Sequence, residues 1–421
     1  MISRIEALGY RCLKHVEQDL LPFQVLVGPN ASGKSTFLDV LAFMSDLVFL
    51  GPSEAVSRRA PDVRDLSWMR QGSRFELAVE VVLSKERRKR LKNGSYSGAR
   101  YELSVGLVRQ AGELAILGET FWLTTQDQIP SGVGSQRTLF PQPPPSPDTI
   151  IHPAGTKAPR GWKKVVNKVA ESGNDYFSSE TSGWNNLFRL GPQKSALANL
   201  PEDETKFPVA TWFKELLMLG VQTLALNSER MRQPSAPGAP KVFLPDGSNL
   251  PWVVEALAKK HRDRFGQWLD HVRTALPDLK NLRTVERSED RHRYLILEFE
   301  SGLKVPSWLV SDGTLRLLAL TLLAYIPDVE GVFLIEEPEN GIHPRAVETV
   351  FQSLSSVYSA QVLLATHSPV ILSIAKPDQV LCFAKTPDGV TDVVRGSEHP
   401  RLRAWKGETD LGTLFAAGVL G

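Results

Sequence analysis

The stretch "FQVLVGPNASGKSTFLDVLAFM", residues 23–44, decides how this chain folds. "FQVLVG" reads as a short buried strand and "STFLDVLAFM" as the start of a helix. Between them, "GPNASGKS" (28–35) fits the spacing G-x-x-x-x-G-K-[ST]. A strand that passes through a glycine-rich turn into a helix aims backbone N–H groups and the positive helix end at one point. The pattern implies a nucleotide site. Gly28, Pro29, Asn30, Ala31, Ser32 and Gly33 form the phosphate cradle, with Thr36 closing it. Lys34 reaches the β and γ phosphates, and Ser35 ligates Mg²⁺.

A loop of this kind needs a second strand that brings a carboxylate to the metal. "VFLIEEPENGIHP" (332–344) supplies one. Four apolar residues run into Glu336 and Glu337. Glu336, at the strand end, takes the Mg²⁺ position. Side chains alternate along a strand, so Glu337 is expected to point elsewhere and hold an attacking water. Lys34 and the metal compensate two carboxylates that could not otherwise stand side by side.

Composition sets the outer limits. The chain has 421 residues, 42% hydrophobic and 23% charged, with a net charge of +2. This is globular composition with length for two or three domains. The charge balance excludes a polycation, so any nucleic-acid contact must come from local patches. Cys12 and Cys382 are too few and too far apart for a disulfide framework or a cysteine zinc site. The N-terminal residues are too polar for a signal peptide, and no apolar run reaches the ~18–20 residues of a membrane helix. A cytoplasmic protein without membrane contact is expected.

Strand patterns recur at "FELAVEVVL" (75–83), "RYELSVGLV" (100–108) and "GELAILGETFWL" (112–123). Residues 127–161 are rich in Pro, Gly and Ser and read as a long mobile loop. "LPWVVEALAKKHRDRFGQWLDHVRTALP" (250–277) places Val253, Val254, Leu257, His261, Phe265, Trp268, Leu269, Val272 and Leu276 at helical spacing. From residue 294, strands and helices alternate through "RYLILEFE", "VFLI", "QVLLAT" and "QVLCFA". The expected fold is α/β: a mostly parallel sheet with an antiparallel β subdomain, interrupted by a largely helical insertion and lacking a long coiled coil. The expected division is 1–124 and 294–421 as two parts of one head, with 125–293 inserted. Two basic stretches, "KERRKR" (85–90) and "KAPRGWKKVVNK" (157–168), are solvated ends, docking sites for an acidic partner, or contacts to DNA or RNA.

"VFLIEEPE" followed by "LLATHSP" resembles the ABC-class ATPases, in particular the SMC-like branch with RecF and the OLD proteins. The resemblance implies ATP as the nucleotide and a γ-phosphate contact from His367. It also implies a signature motif, matched by "VSDGT" (310–314). Ser311 and Gly313 fit the signature, while Asp312 and Thr314 depart from it. The departures resemble the "SDGT" variant of ATPases in bacterial anti-phage operons, as do "LPDGSNLPWVVEAL" and "LGTLFAAGVLG". Gln71 falls where the family's metal-contacting glutamine lies, and Arg11 where a basic residue near the nucleotide is common. His343 is expected to be structural.

In this family, the signature of one subunit completes the phosphate site of another, so a homodimer is implied. The resemblance points to the regulatory ATPase of a defence system. No Asp-x-Asp follows His367, so a nuclease-type effector is expected as a separate chain. The alternative is a RecF-like DNA-repair ATPase. The split head and the "SDGT" motif argue against a transporter ATPase.

Overall fold

The computed structural model describes residues 1–91, 95–108, 112–125, 146–152, 158–170, 175–399 and 411–416. The expected loop at 127–161 lies largely outside these residues, as does the end, 417–421, of the C-terminal "LGTLFAAGVLG".

Strands β1 (Ile2–Tyr10) and β2 (Leu13–Asp19) form a hairpin, and β3 (Phe23–Val27) follows. Then come β4 (Arg74–Val82), β5 (Gly98–Leu107), β6 (Leu114–Thr124), β7 (Lys163–Val169), β8 (Tyr176–Ser178) and β9 (Asn185–Leu187). The later strands are β10 (Val221–Leu224), β11 (Leu279–Glu286), β12 (Arg293–Phe299), β13 (Lys304–Pro306), β14 (Val332–Glu336), β15 (Gln361–Ala365), β16 (Val380–Lys385) and β17 (Thr391–Arg395).

Among the described residues these strands make three sheets. The central one has the order β10-β14-β15-β3-β16-β17. It is parallel except for β17. Its strands are apolar on both faces, as a sheet covered on both sides requires. Leu26, Leu334, Leu363 and Phe383 face one core, together with the helix Lys34–Leu50 and an antiparallel sheet. Val25, Val27, Ile335, Leu364 and Cys382 face the other, against the helices Leu250–Lys260, Arg262–Ala275, Asp312–Leu322 and Pro344–Ser355. The period of two along each strand divides the molecule into these layers.

The antiparallel sheet runs β2-β1-β4-β5-β6-β7-β8-β9. The Gln361 side chain joins it to the central sheet, accepting from Ile2 N at 3.0 Å and donating to the carbonyls of Ile2 and Leu21. The segment expected to be a helical insertion contributes helices between residues 208 and 275. It also extends this sheet through β7–β9 and supplies β10 to the central sheet. The single long helix expected over 250–276 is two. His261, φ −136 and ψ 62, breaks it and is exposed, not part of the apolar face. Among the described residues the longest helix has 17 residues, so none forms a coiled-coil arm. None is long and apolar enough to cross a membrane.

The polar face of β4–β6 is covered as well. Arg100 reaches Glu102 at 2.7 Å, Glu80 at 2.9 Å and Glu6 at 2.7 Å. Glu102, 0% exposed, also accepts from Thr120, Trp122 and the backbone and ring of His152. Burial alone would raise the Glu102 carboxyl. The hydrogen bond from His152 and the Arg100 charge outweigh it and bring it to about 2.

Candidate active site

Four adjacent parallel strands, β14, β15, β3 and β16, end on the same edge of the central sheet. Ligands bind at such carboxyl ends in open α/β sheets. Here a cleft of about 360 Å³ is lined by residues from all four ends. β3 delivers the 28–36 loop, β14 delivers Glu336 and Glu337, β15 delivers Ala365 and His367, and β16 delivers Lys385.

The loop takes its shape from backbone that only glycine accepts. Gly28 and Gly33 have φ of 152° and 108°. A Cβ at Gly28 would overlap the Phe383 carbonyl oxygen, and one at Gly33 would meet Thr391 Oγ1 at 2.7 Å. Thr391 Oγ1 donates to the Ser32 carbonyl at 3.0 Å. β16 and β17 therefore mould the loop from behind.

Lys34 is only 7% exposed. Its Nζ donates to the carbonyls of Gly28 at 2.8 Å and Pro29 at 2.9 Å, bracing the loop from within. Burial lowers its pKa, opposed by the charges of Glu337 and Glu336. Ser35 Oγ donates to Glu336 Oε2.

Glu337 departs from the expectation. Strand β14 ends at Glu336, and Glu337 adopts φ 47°. Its N–H donates to the Ala365 carbonyl at 2.8 Å, and its carbonyl accepts from Asn340 N at 3.0 Å. Both carboxylates line the cleft. A left-handed turn, not strand alternation, separates their directions.

Arg11 lines the same cleft and pairs with Asp39 at 3.3 Å. Cys12 and Lys385 line it too and were missed in sequence. The only available signal for Lys385 was that β16 had to neighbour β3. Gln71 does not join the group. It is exposed, follows the 3₁₀ turn Trp68–Arg70 and does not line the cleft. His343 caps the helix Pro344–Ser355 by accepting from Arg345 N at 3.3 Å.

The signature residues lie apart. Ser311 caps the helix Asp312–Leu322, accepting from Thr314 N at 3.3 Å. Asp312 pairs with Arg232. Ser311 and Thr314 line a different hollow, with Asp278, Phe299 and Leu309. It shares no residue with the cleft. A Cβ at Gly313 would overlap the Gly341 carbonyl oxygen.

The expected basic patches are largely engaged within the chain. Arg87 lies 4.3 Å over the Trp212 ring, Arg88 donates to the Leu83 carbonyl and Arg90 pairs with Glu204. In the second stretch, Lys168 is 1% exposed and donates to the carbonyls of Gly191, Pro192 and Lys194. Lys164 lies over the Trp122 ring. Of the lysines in β7, Lys168 is buried while Lys163 and Lys164 are half-buried.

Among the described residues no group of three or more His, Cys, Asp or Glu could hold a metal. A cation beside Ser35 and Glu336 would have two oxygen donors from protein and take the rest from phosphate and water. That donor set fits Mg²⁺.

This edge-of-sheet cleft, with its phosphate loop and paired carboxylates, defines a P-loop ATPase head. Residues 147–373 match the family model described as "AAA domain, putative AbiEii toxin, Type IV TA system", and residues 1–96 match "AAA ATPase domain". The first match spans more than half of the chain, which therefore belongs to that AAA ATPase family. No curated protein matches. Among solved structures, an SMC head bound to the C-winged helix domain of ScpA aligns with a TM-score of 0.54 at 14% identity, over 93% of this chain and 97% of that one. An SMC head with an extended coiled coil, bound to the C-terminal domain of ScpA and derived from Pyrococcus furiosus, aligns at 0.48 and 13%, over 93% and 95%. The first likeness establishes an SMC-like, ABC-type head fold.

Proposed function

We propose that this chain binds ATP with Mg²⁺ and hydrolyses it as a conformational switch. The observation that carries the reading is the meeting of Lys34, Ser35, Glu336, Glu337 and His367 in one cleft. Bound Mg²⁺ supplies charge neutralisation at the phosphate oxygens. Lys34 turns from its own loop carbonyls to the phosphates. Glu337 accepts a proton from the water whose oxygen bonds to the γ phosphorus as the β–γ bridge breaks and ADP leaves. His367 contacts the γ phosphate.

Ser311 and Thr314 line a hollow separate from this cleft, which supports completion of each site by a second copy. ATP then favours a closed head-to-head dimer, because only that state makes both sets of contacts. Gln71 joins the metal only if its turn moves toward the cleft in that state.

We further propose that the switch regulates a separate effector chain, nuclease-type, in a cytoplasmic bacterial anti-phage system. The family description, which names a toxin of a Type IV toxin–antitoxin system, and the "SDGT" motif support it. The internally engaged Lys and Arg side chains weigh against a DNA-repair role.

Phosphate release from ATP by the purified chain, lost in Lys34→Ala, tests the ATPase reading. Absence of Mg²⁺-dependent turnover with and without its genomic neighbours would overturn it. Phage plating on cells carrying the operon with wild-type or Glu337→Gln chain tests the defence role. Equal protection would overturn that part.

A further inference from the structure

The turn after β14 holds three parts of the site together. Glu339 Oε1 accepts from the Thr366 hydroxyl at 2.6 Å and from His367 N at 3.0 Å. Its Oε2 is buried and has no hydrogen-bond partner among the described residues. Such an oxygen is costly to keep, and a turn needing only polarity would not need it. The Asn340 side-chain amide donates to Glu337 Oε2. Ile342 N closes the turn on the Glu339 carbonyl at 3.0 Å. Gly341, φ 74°, folds the chain back, and its carbonyl oxygen occupies the space a side chain on Gly313 would take.

We propose that Glu339 and Gly313 are positioning residues for hydrolysis. Glu339 fixes His367 relative to Glu337. Gly313 lets the helix Asp312–Leu322 bear directly on the turn that carries both. The proposal rests on the ATPase reading of the cleft. Backbone meets backbone at Gly313 and Gly341, so no flexible side chain absorbs a displacement between them. Ser311 caps the same helix. Any anion that settles or shifts its N-terminus therefore acts on the turn, and through the turn on both ends of the hydrolytic pair. Glu339 has the reach to cross from β14 to β15, and one of its oxygens serves two donors.

The test separates rate from binding in the full-length chain. Glu339→Ala removes the acceptor for Thr366 and His367. Its kcat should fall about 10²-fold, the cost of misplacing reacting groups by about 1 Å, with ATP affinity unchanged. Glu339→Gln retains an oxygen acceptor and should recover most of the rate. Gly313→Ala, checked for folding by thermal melting, should show the same selective loss of kcat. If it does not fold, the Glu339 pair carries the test.

Lys34→Ala sets the background. Wild-type turnover no higher than this background removes the ATPase reading and the proposal with it. Wild-type turnover that Glu339→Ala and Gly313→Ala both retain overturns the positioning roles and leaves the ATPase reading standing. Parallel loss of affinity and rate in Glu339→Ala, or no recovery in Glu339→Gln, overturns them equally, because either marks a merely structural residue.

Discussion

The Ser35 hydroxyl donates to the Glu336 carboxylate across the cleft, joining residues 301 positions apart in sequence. Both side chains are exposed, Ser35 in the first turn of its helix and Glu336 at the end of β14. Their pairing marks where a cation with two protein oxygens would lie. Glu336→Gln is therefore expected to weaken nucleotide binding and its Mg²⁺ dependence. Titration calorimetry with and without Mg²⁺ measures this, and an unchanged Mg²⁺ requirement would count against the assignment.

Glu337 should respond differently. Glu337→Gln keeps the left-handed turn and an acceptor for Asn340, but cannot take a proton. Turnover should fall by roughly 10²–10⁴-fold with ATP still bound, if it acts as general base. The ATP-bound closed dimer should accumulate, as seen by size-exclusion chromatography with light scattering. Equal, mild effects of Glu336→Gln and Glu337→Gln would sink the division of roles.

Lys34 is a strut of its own loop, because its Nζ holds two of that loop's carbonyls. Lys34→Ala should weaken ATP binding by about 10–100-fold, the worth of a charged hydrogen bond, while circular dichroism remains that of wild type. Retained affinity would remove the phosphate-loop assignment.

A shared site can be tested at Ser311. Gly313 is unsuited to the purpose, since any side chain there meets the chain's own Gly341. Ser311→Asp preserves an N-cap but sets a negative charge where an incoming phosphate would approach. The variant should bind ATP as a monomer and fail to dimerise or turn over. Mixed with Lys34→Ala, both defects fall in one site of each mixed dimer and the other site has neither, so activity should partly return. Activity equal to the sum of the separate variants, with ATP-driven dimerisation of mixed subunits verified, would refute the shared site.

The buried network on the antiparallel sheet predicts a pH dependence of stability. Glu102 is held at about 2 against an ordinary value of 4.5. Its folded-state pKa is depressed, so its stabilisation is present above 4.5 and is lost as pH falls towards about 2. Glu102→Gln leaves Arg100 with one fewer carboxylate and should cost about 3–5 kcal/mol at neutral pH, the usual result of breaking a buried pair. It should also flatten the acid limb of a plot of melting temperature against pH. An acid limb as steep as that of wild type would disprove the role.

What the sequence revealed followed from how local each signal was. The 28–36 loop and the 332–344 stretch carry their chemistry within a few residues of one strand end, and both were legible. The strand β1 was not, because Arg4 and Glu6 interrupt its apolar run. Their partners, Glu17, Asp19 and Arg100, appear only once the sheet is assembled. Lys168 read as part of a basic patch for the same reason: its three carbonyl partners lie 23 to 26 residues further along. The left-handed turn at Glu337 was not legible, because a non-glycine residue at positive φ leaves no mark in composition. Gly313 was visible as a motif residue, but its contact with Gly341 depends on a helix meeting a turn, which no spacing rule encodes.

The moulding of the phosphate loop by β16 and β17 has a consequence for biogenesis. β3 emerges early in synthesis, yet its hydrogen-bonding neighbours are β15 and β16, more than 330 residues later. Contacts at such separation are slow to form. A nascent chain on the ribosome thus holds the glycine-rich segment without the walls that shape it. The pocket that the loop shares with these walls is complete only once translation has passed Thr391.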